Sequence, residues 1–167
     1  GGDEVNVKPG LELITKLNAL KFWSRGGEVV TQLQSGDVYA AVVHSGWCVR
    51  ARNAGVNVAT VHPVINDQHT GVHKYGWLVI MKSSENAAAA SWFINEYNEP
   101  EFQLEYARNS GVVPVNHKAI EELKSDPVLA EMLQLESEDI NKQLRIDYSK
   151  ANISDWTDQW NRTVSQQ

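Results

Sequence analysis

Two short stretches hold the side chains best suited to chemistry. The first is His44-Ser45-Gly46-Trp47, which follows an apolar run and opens a predicted helix. Unbonded N–H groups at a helix start favour an anion or a carbonyl oxygen, and open parallel sheets bind ligands at the carboxyl ends of their strands. A strand–serine–helix turn also raises a hydrolase nucleophile as an alternative. That elbow needs glycine two residues on either side of the serine, whereas Val43 and Trp47 stand there. A turn serine capping its helix is therefore the favoured reading of Ser45.

The second stretch is His69-Thr70-Gly71-Val72-His73-Lys74-Tyr75-Gly76-Trp77. Two histidines four apart would share one face of a helix and hold a metal. Gly71 between them and a strand directly after oppose a helix, and a loop site would need His44 and Tyr75 as well. The expectation is no metal and no cofactor, with Lys74 placed to pair with an anion. Trp47 and Trp77 flank the two turns and suit either packing or the flat wall of a ligand cleft.

The surrounding elements must position these stretches. After the turn signal Lys8-Pro9-Gly10, residues 11–23 carry Leu13, Leu17 and Leu20 at helical spacing. Arg25-Gly26-Gly27 breaks that helix, and residues 28–34 form a short one closed by Ser35-Gly36-Asp37. Residues 38–43 are a near-continuous apolar run, the mark of a strand buried on both faces. Residues 47–53 read as a helix ended by Gly55, and residues 56–61 alternate as a second strand stopped near Pro63. Helix, strand, helix, strand implies a parallel sheet with right-handed crossovers. A polar loop over 66–74 then leads to a third buried strand at 77–81.

The rest reads mostly as helix. Ser84 or Asn86 would cap a helix over 87–97 with Trp92 and Phe93 inward. Glu99-Pro100 opens another, pairing Phe102 with Tyr106 and ending at Gly111. Residues 112–115 are extended around Pro114. Helices follow at 116–124 and 126–135, the second with Pro127 at its first position. The acidic stretch Glu131 to Asp139 is expected to be a solvated helix face, and residues 136–150 are polar. The last helix, 153–164, sets Ile153, Trp156, Trp160 and Val164 on one face. Trp92, Trp156 and Trp160 are expected to pack into the core.

Composition narrows the function classes. The chain has 167 residues, a net charge of −6 and a hydrophobic share of 42%, so it can bury a core of its own. It lacks a basic run of five or more residues, which disfavours a nucleic-acid partner. Its longest aliphatic–aromatic stretch, residues 38–43, is far too short to span a bilayer. The single cysteine, Cys48, is expected as a small buried group on a helix. The polar start Gly1-Gly2-Asp3-Glu4 reads as that of a truncated chain, with room for a tag remnant at Gly1 and an export signal upstream.

A family pattern emerges from the order of these pieces. Gln32-Leu33-Gln34-Ser35-Gly36-Asp37-Val38-Tyr39-Ala40-Ala41 resembles the short helix, Ser-Gly-acidic turn and buried strand of extracytoplasmic solute-binding proteins of the spermidine/putrescine ABC-transporter type. Val43-His44-Ser45-Gly46 falls where polyamine-binding members carry a Trp-Asn-Gly type turn. Arg50-Ala51-Arg52-Asn53-Ala54-Gly55, Gly76-Trp77-Leu78-Val79-Ile80, Ser110-Gly111-Val112-Val113-Pro114-Val115-Asn116 and Asp155-Trp156-Thr157-Asp158-Gln159-Trp160 follow in family order. The resemblance covers residues 12–167. It implies an α/β, type II periplasmic-binding fold present as a C-terminal fragment. Residues 1–74 would lie in the second lobe, 75–116 would cross to the first, and 117–167 would return.

The resemblance also implies a periplasmic binding component rather than an enzyme, delivering a small polar solute to an ABC-type permease. Lobes closing on a hinge would clamp the solute. A ligand-sensing domain of a regulator is a weaker alternative. The implied binding residues are His44, Ser45, Trp47, His73, Lys74, Tyr75 and Trp77. The segment His73-Lys74-Tyr75 takes the place of a Trp and an Asp that hold an ammonium group. This chain has no Asp there, and Lys74 sits beside the expected position. That departure brings anionic, zwitterionic and sugar-like ligands into play beside polyamines, with a ferric-ion-type ligand as a minor option. Missing first-lobe partners would leave apolar surface open around Trp77, Trp92 and Phe93, so self-association is expected.

Overall fold

The structure is a computed structural model describing residues 2–17 and 19–165. Gly1, the expected tag remnant, lies outside the described residues. The chain divides into two compact units, residues 1–24 with 145–167, and residues 25–144.

The first unit pairs α1 (Lys8–Ile14) with α9 (Ile153–Val164). Lys8-Pro9-Gly10 forms the first turn of α1 rather than a turn before it, because proline's missing N–H costs nothing at a helix start. The helix then stops at Thr15, well short of residue 23. The face predicted for α9 is only partly covered. Trp156 is half-buried and its Nε1–H donates to the Glu4 carbonyl at 3.1 Å. Trp160 meets Phe22 edge-on at 5.4 Å but stays exposed, as does Ile153.

The second unit carries the remaining helices: α2 (Gly26–Ser35), α3 (Ser45–Asn53), α4 (Ala87–Tyr97), α5 (Pro100–Ser110), α6 (His117–Leu123), α7 (Pro127–Leu133) and α8 (Ser137–Lys142). Gly26-Gly27 starts α2 rather than breaking a helix, and Gly36 ends it in the left-handed conformation. Asn116 caps α6 by accepting from the Lys118 N–H. Asp126 caps α7 by accepting from Val128 and Leu129. The α4 cap differs from expectation: Asn86 makes no side-chain cap bond, and Ser84 Oγ accepts from the Asn86 N–H instead.

Helices build the core. Val49 of α3, Leu104 and Ala107 of α5, Ala119 and Leu123 of α6, and Leu129, Met132 and Leu133 of α7 form one buried cluster, with Cys48 packed against it. Trp92 does not join it; this expected core residue is 64% exposed. The polar keystone is Gln103, which is buried on α5. Its Oε1 accepts from the N–H groups of Val115 and Asn116, each at 2.9 Å, and its Nε2 donates to Asn98 Oδ1. One side-chain amide thus satisfies two backbone N–H groups at the end of the extended turn from Gly111 to Asn116.

The strands depart most from the sequence reading. Residues 66–74 are not a plain loop. β1 (Val64–Ile65) and β2 (His69–Thr70) form an antiparallel hairpin, with Val64 opposite Thr70. Asn66 and Asp67 turn it in the left-handed region, which short polar side chains tolerate. β3 (Val72–His73) follows. The three expected strands at 38–43, 56–61 and 77–81 join no ladder among the described residues, so they do not form the expected parallel sheet. Residues 56–62 still alternate half-buried and exposed, the period-two signature of a strand. Residues 38–43 and 77–81 are largely exposed, with Tyr39 at 95%, Val42 at 91% and Trp77 at 82%. Apolar content selects extended backbone, but a ladder forms only where a neighbouring strand is supplied. The architecture is mixed helix and short strand, consistent with the α/β class.

Candidate functional site

The turn at the start of α3 is seated by backbone contact. Gly46 lies against the carbonyls of Ser110 and Gly111, and a Cβ on Gly111 would fall on the Gly46 Cα. Arg50 reinforces the joint by donating from Nε to the Ser110 carbonyl at 3.3 Å. Asn53 donates to the Arg108 carbonyl at 2.9 Å. The end of α5 therefore fixes the start of α3.

His44, not Ser45, is the N-cap residue. Its backbone is extended and its side chain makes no cap bond, while Ser45 is the first helical residue. The expected role of Ser45 as a cap is corrected accordingly. Activating Ser45 as a nucleophile would need a base within hydrogen-bond reach of its hydroxyl.

Lys74 comes to this turn from thirty residues away. Its Nζ lies 3.5 Å from His44 Nε2, a long hydrogen bond. An ammonium has donors only, so Lys74 donates, Nε2 accepts, and the imidazole keeps its proton on Nδ1. Loss of solvent around the ring, and then the neighbouring Lys74 charge, hold the His44 pKa below the ordinary histidine value.

His73, Tyr75 and Trp77 form a row of rings. The His73 and Tyr75 rings are 4.5 Å apart, and those of Tyr75 and Trp77 are 6.4 Å apart. Period two in extended backbone places these three rings on one face and Lys74 on the other. His73 Nδ1 is buried without a hydrogen-bond partner. Trp47 is packed on the Gly26 backbone, with the Arg50 guanidinium 4.4 Å over its ring. That gives Trp47 a packing role. His69 does not approach His73 as a metal pair, because its Nδ1 contacts the Lys142 carbonyl at 3.0 Å. Among the described residues no cluster of three His, Cys, Asp or Glu side chains could hold a metal.

Sequence reasoning missed Arg50 and Gln103. Gln103 carries no sequence signal, being one polar residue on a helix. Arg50 lies three residues after Trp47, a spacing that places both on one helix face.

A model of the family described as bacterial extracellular solute-binding protein matches residues 11–131. The chain belongs to that family. A substrate-binding role in transport and an extracytoplasmic location follow from membership. No curated protein and no solved structure matches the chain. Among the described residues no helix is long and apolar enough to cross a membrane.

Proposed function

We propose that this chain is part of the substrate-binding component of an ABC-type importer, with a type II periplasmic-binding fold and a small polar solute held in a cleft between lobes. The observation that carries the reading is the convergence of His44 and Lys74, two segments distant in sequence, at the amino end of α3. Family membership supplies the class, and this meeting point supports placing the site here.

On this reading residues 1–74 and 117–167 belong to one lobe and 75–116 to a crossing. Because α5 shares the core with α3, it stays with the lobe that holds α3, and the crossing narrows to the extended stretch at 75–81. The exposed apolar runs at 38–43 and 77–81 are strands of a sheet completed elsewhere in the full-length protein. A polyamine would need a carboxylate beside an aromatic wall. Among the described residues neither His44 nor Lys74 pairs with one, so polyamine is not the favoured member of the polar-solute class. The membrane permease is the expected partner.

The test is a thermal-shift screen of the full-length protein against polyamines, amino acids, phosphonates, sugars and metals. A true solute at 100 times its Kd stabilises the folded state by about 2.7 kcal/mol. Failure of every solute, together with ester hydrolysis abolished by Ser45→Ala, would overturn the reading in favour of an enzyme.

A further inference from the structure

We infer that Lys74 and His44 form a receptor for an oxyanion of the solute, a carboxylate, phosphonate or sulfonate group, and that His44 takes up a proton when that group binds. This deepens the proposed transport function and rests on it.

Lys74 has a basic partner where other lysines have an acidic one. Lys124, Lys142 and Lys150 each meet a carboxylate, at 3.0, 2.6 and 3.1 Å. Among the described residues Lys74 pairs with none, and its polar contact is a second basic nitrogen. One contact with His44 leaves two of the three ammonium donors unused. The chain as a whole carries −6, so this basic pair runs against the overall field and would repel a cation locally.

The proton balance follows from the geometry. In the free site the His44 lone pair on Nε2 accepts from Lys74. An oxyanion bound at Lys74 Nζ brings negative charge beside the imidazole. It draws a solvent proton onto Nε2, which then donates to the anion. An opposite charge at this range shifts a pKa by about 1–3 units toward the charged form. Glu28 of α2, Glu101, Glu105 and Arg108 of α5, and Glu131 of α7 stand on helices packed against α3. The neighbouring charge that lowers the His44 pKa is that of Lys74. The depressed free-state pKa is thus open to reversal by a ligand. The sign is fixed: the site binds its anion more tightly as pH falls, by up to about tenfold per pH unit between the free and bound pKa values.

The experiment follows the His44 imidazole by NMR across pH in the full-length protein, alone and with methylphosphonate, acetate or methylammonium. A calorimetric titration in two buffers of different ionisation heat accompanies it. The expected result is a raised His44 pKa with methylphosphonate or acetate only, and up to one proton taken up. His44→Gln should abolish the uptake, and Lys74→Met should weaken anion binding at least tenfold. An unmoved His44 pKa or pH-independent anion binding overturns the inference. If a cationic or neutral solute from the wider panel stabilises the protein without moving His44, the inference fails while the transport reading stands. If nothing binds, both fail.

Discussion

Gly46 and Gly111 meet backbone to backbone where α3 starts and α5 ends, with no room for a side chain on either. Gly111 also sits at φ +69°, in the left-handed region. A Cβ there would strike the Gly46 Cα and the Val49 side chain. Gly111→Ala should therefore destabilise the second unit by about 1–3 kcal/mol through strain and overpacking. Urea unfolding of the full-length protein would register the loss. The same change should loosen the His44 turn and weaken solute binding.

Gln103 gives a second prediction. Gln103→Leu keeps the apolar bulk of a buried side chain but strands the N–H groups of Val115 and Asn116. Loss of two hydrogen bonds to a buried acceptor costs about 1–3 kcal/mol, less where water reaches the freed N–H groups. The midpoint of denaturant unfolding should fall by a corresponding amount with an unchanged m value. A neutral result would mean that water satisfies these amides.

Asp126 yields a pH-dependent case. The Leu129 N–H, followed by the nearby Arg52 charge, lowers its pKa below 3.8 against the opposing effect of burial. A depressed carboxyl stabilises the fold above its unfolded pKa and loses that contribution as pH falls through its folded value. Asp126→Ala should cost about 1 kcal/mol at neutral pH, as loss of a helix cap does. The stability curves of the variant and the parent should converge as the solution is acidified below pH 3.8. A constant gap at all pH values would argue for packing rather than charge.

The exposed apolar runs predict association. Tyr39, Val42, Trp77 and Trp92 present large apolar side chains to solvent, more than a well-behaved monomer usually leaves open. The 167-residue chain should show a mass that rises with concentration in analytical ultracentrifugation. Substituting Val42 and Trp77 by Lys should suppress the rise. A concentration-independent monomer would mean these segments are tolerated in water.

Most helices were legible because their signals are local. Pro100, Pro127, Gly36, Gly111, Asn116 and Asp126 act within a turn of themselves, and each marks an end where the structure has one. Lys8-Pro9-Gly10 misled because proline serves a turn and a helix start equally well. The expected strands went unpaired among the described residues for a different reason. An apolar run such as 77–81 records a preference for extended backbone, but pairing is a property of two segments. The candidate site was half legible. Composition pointed to both turns, but only the fold shows that Lys74 reaches His44 while period two turns His73, Tyr75 and Trp77 away from it.

The central claim is that the chain serves solute binding through the meeting of His44 and Lys74. Calorimetric titration of the full-length protein with the solute found by screening, in parent and Lys74→Met forms, tests it most directly. The expected result is saturable binding in the parent, at least tenfold weaker binding in the variant, and unfolding midpoints that agree. Equal affinities in the two proteins, or no saturable binding by the parent, would contradict it.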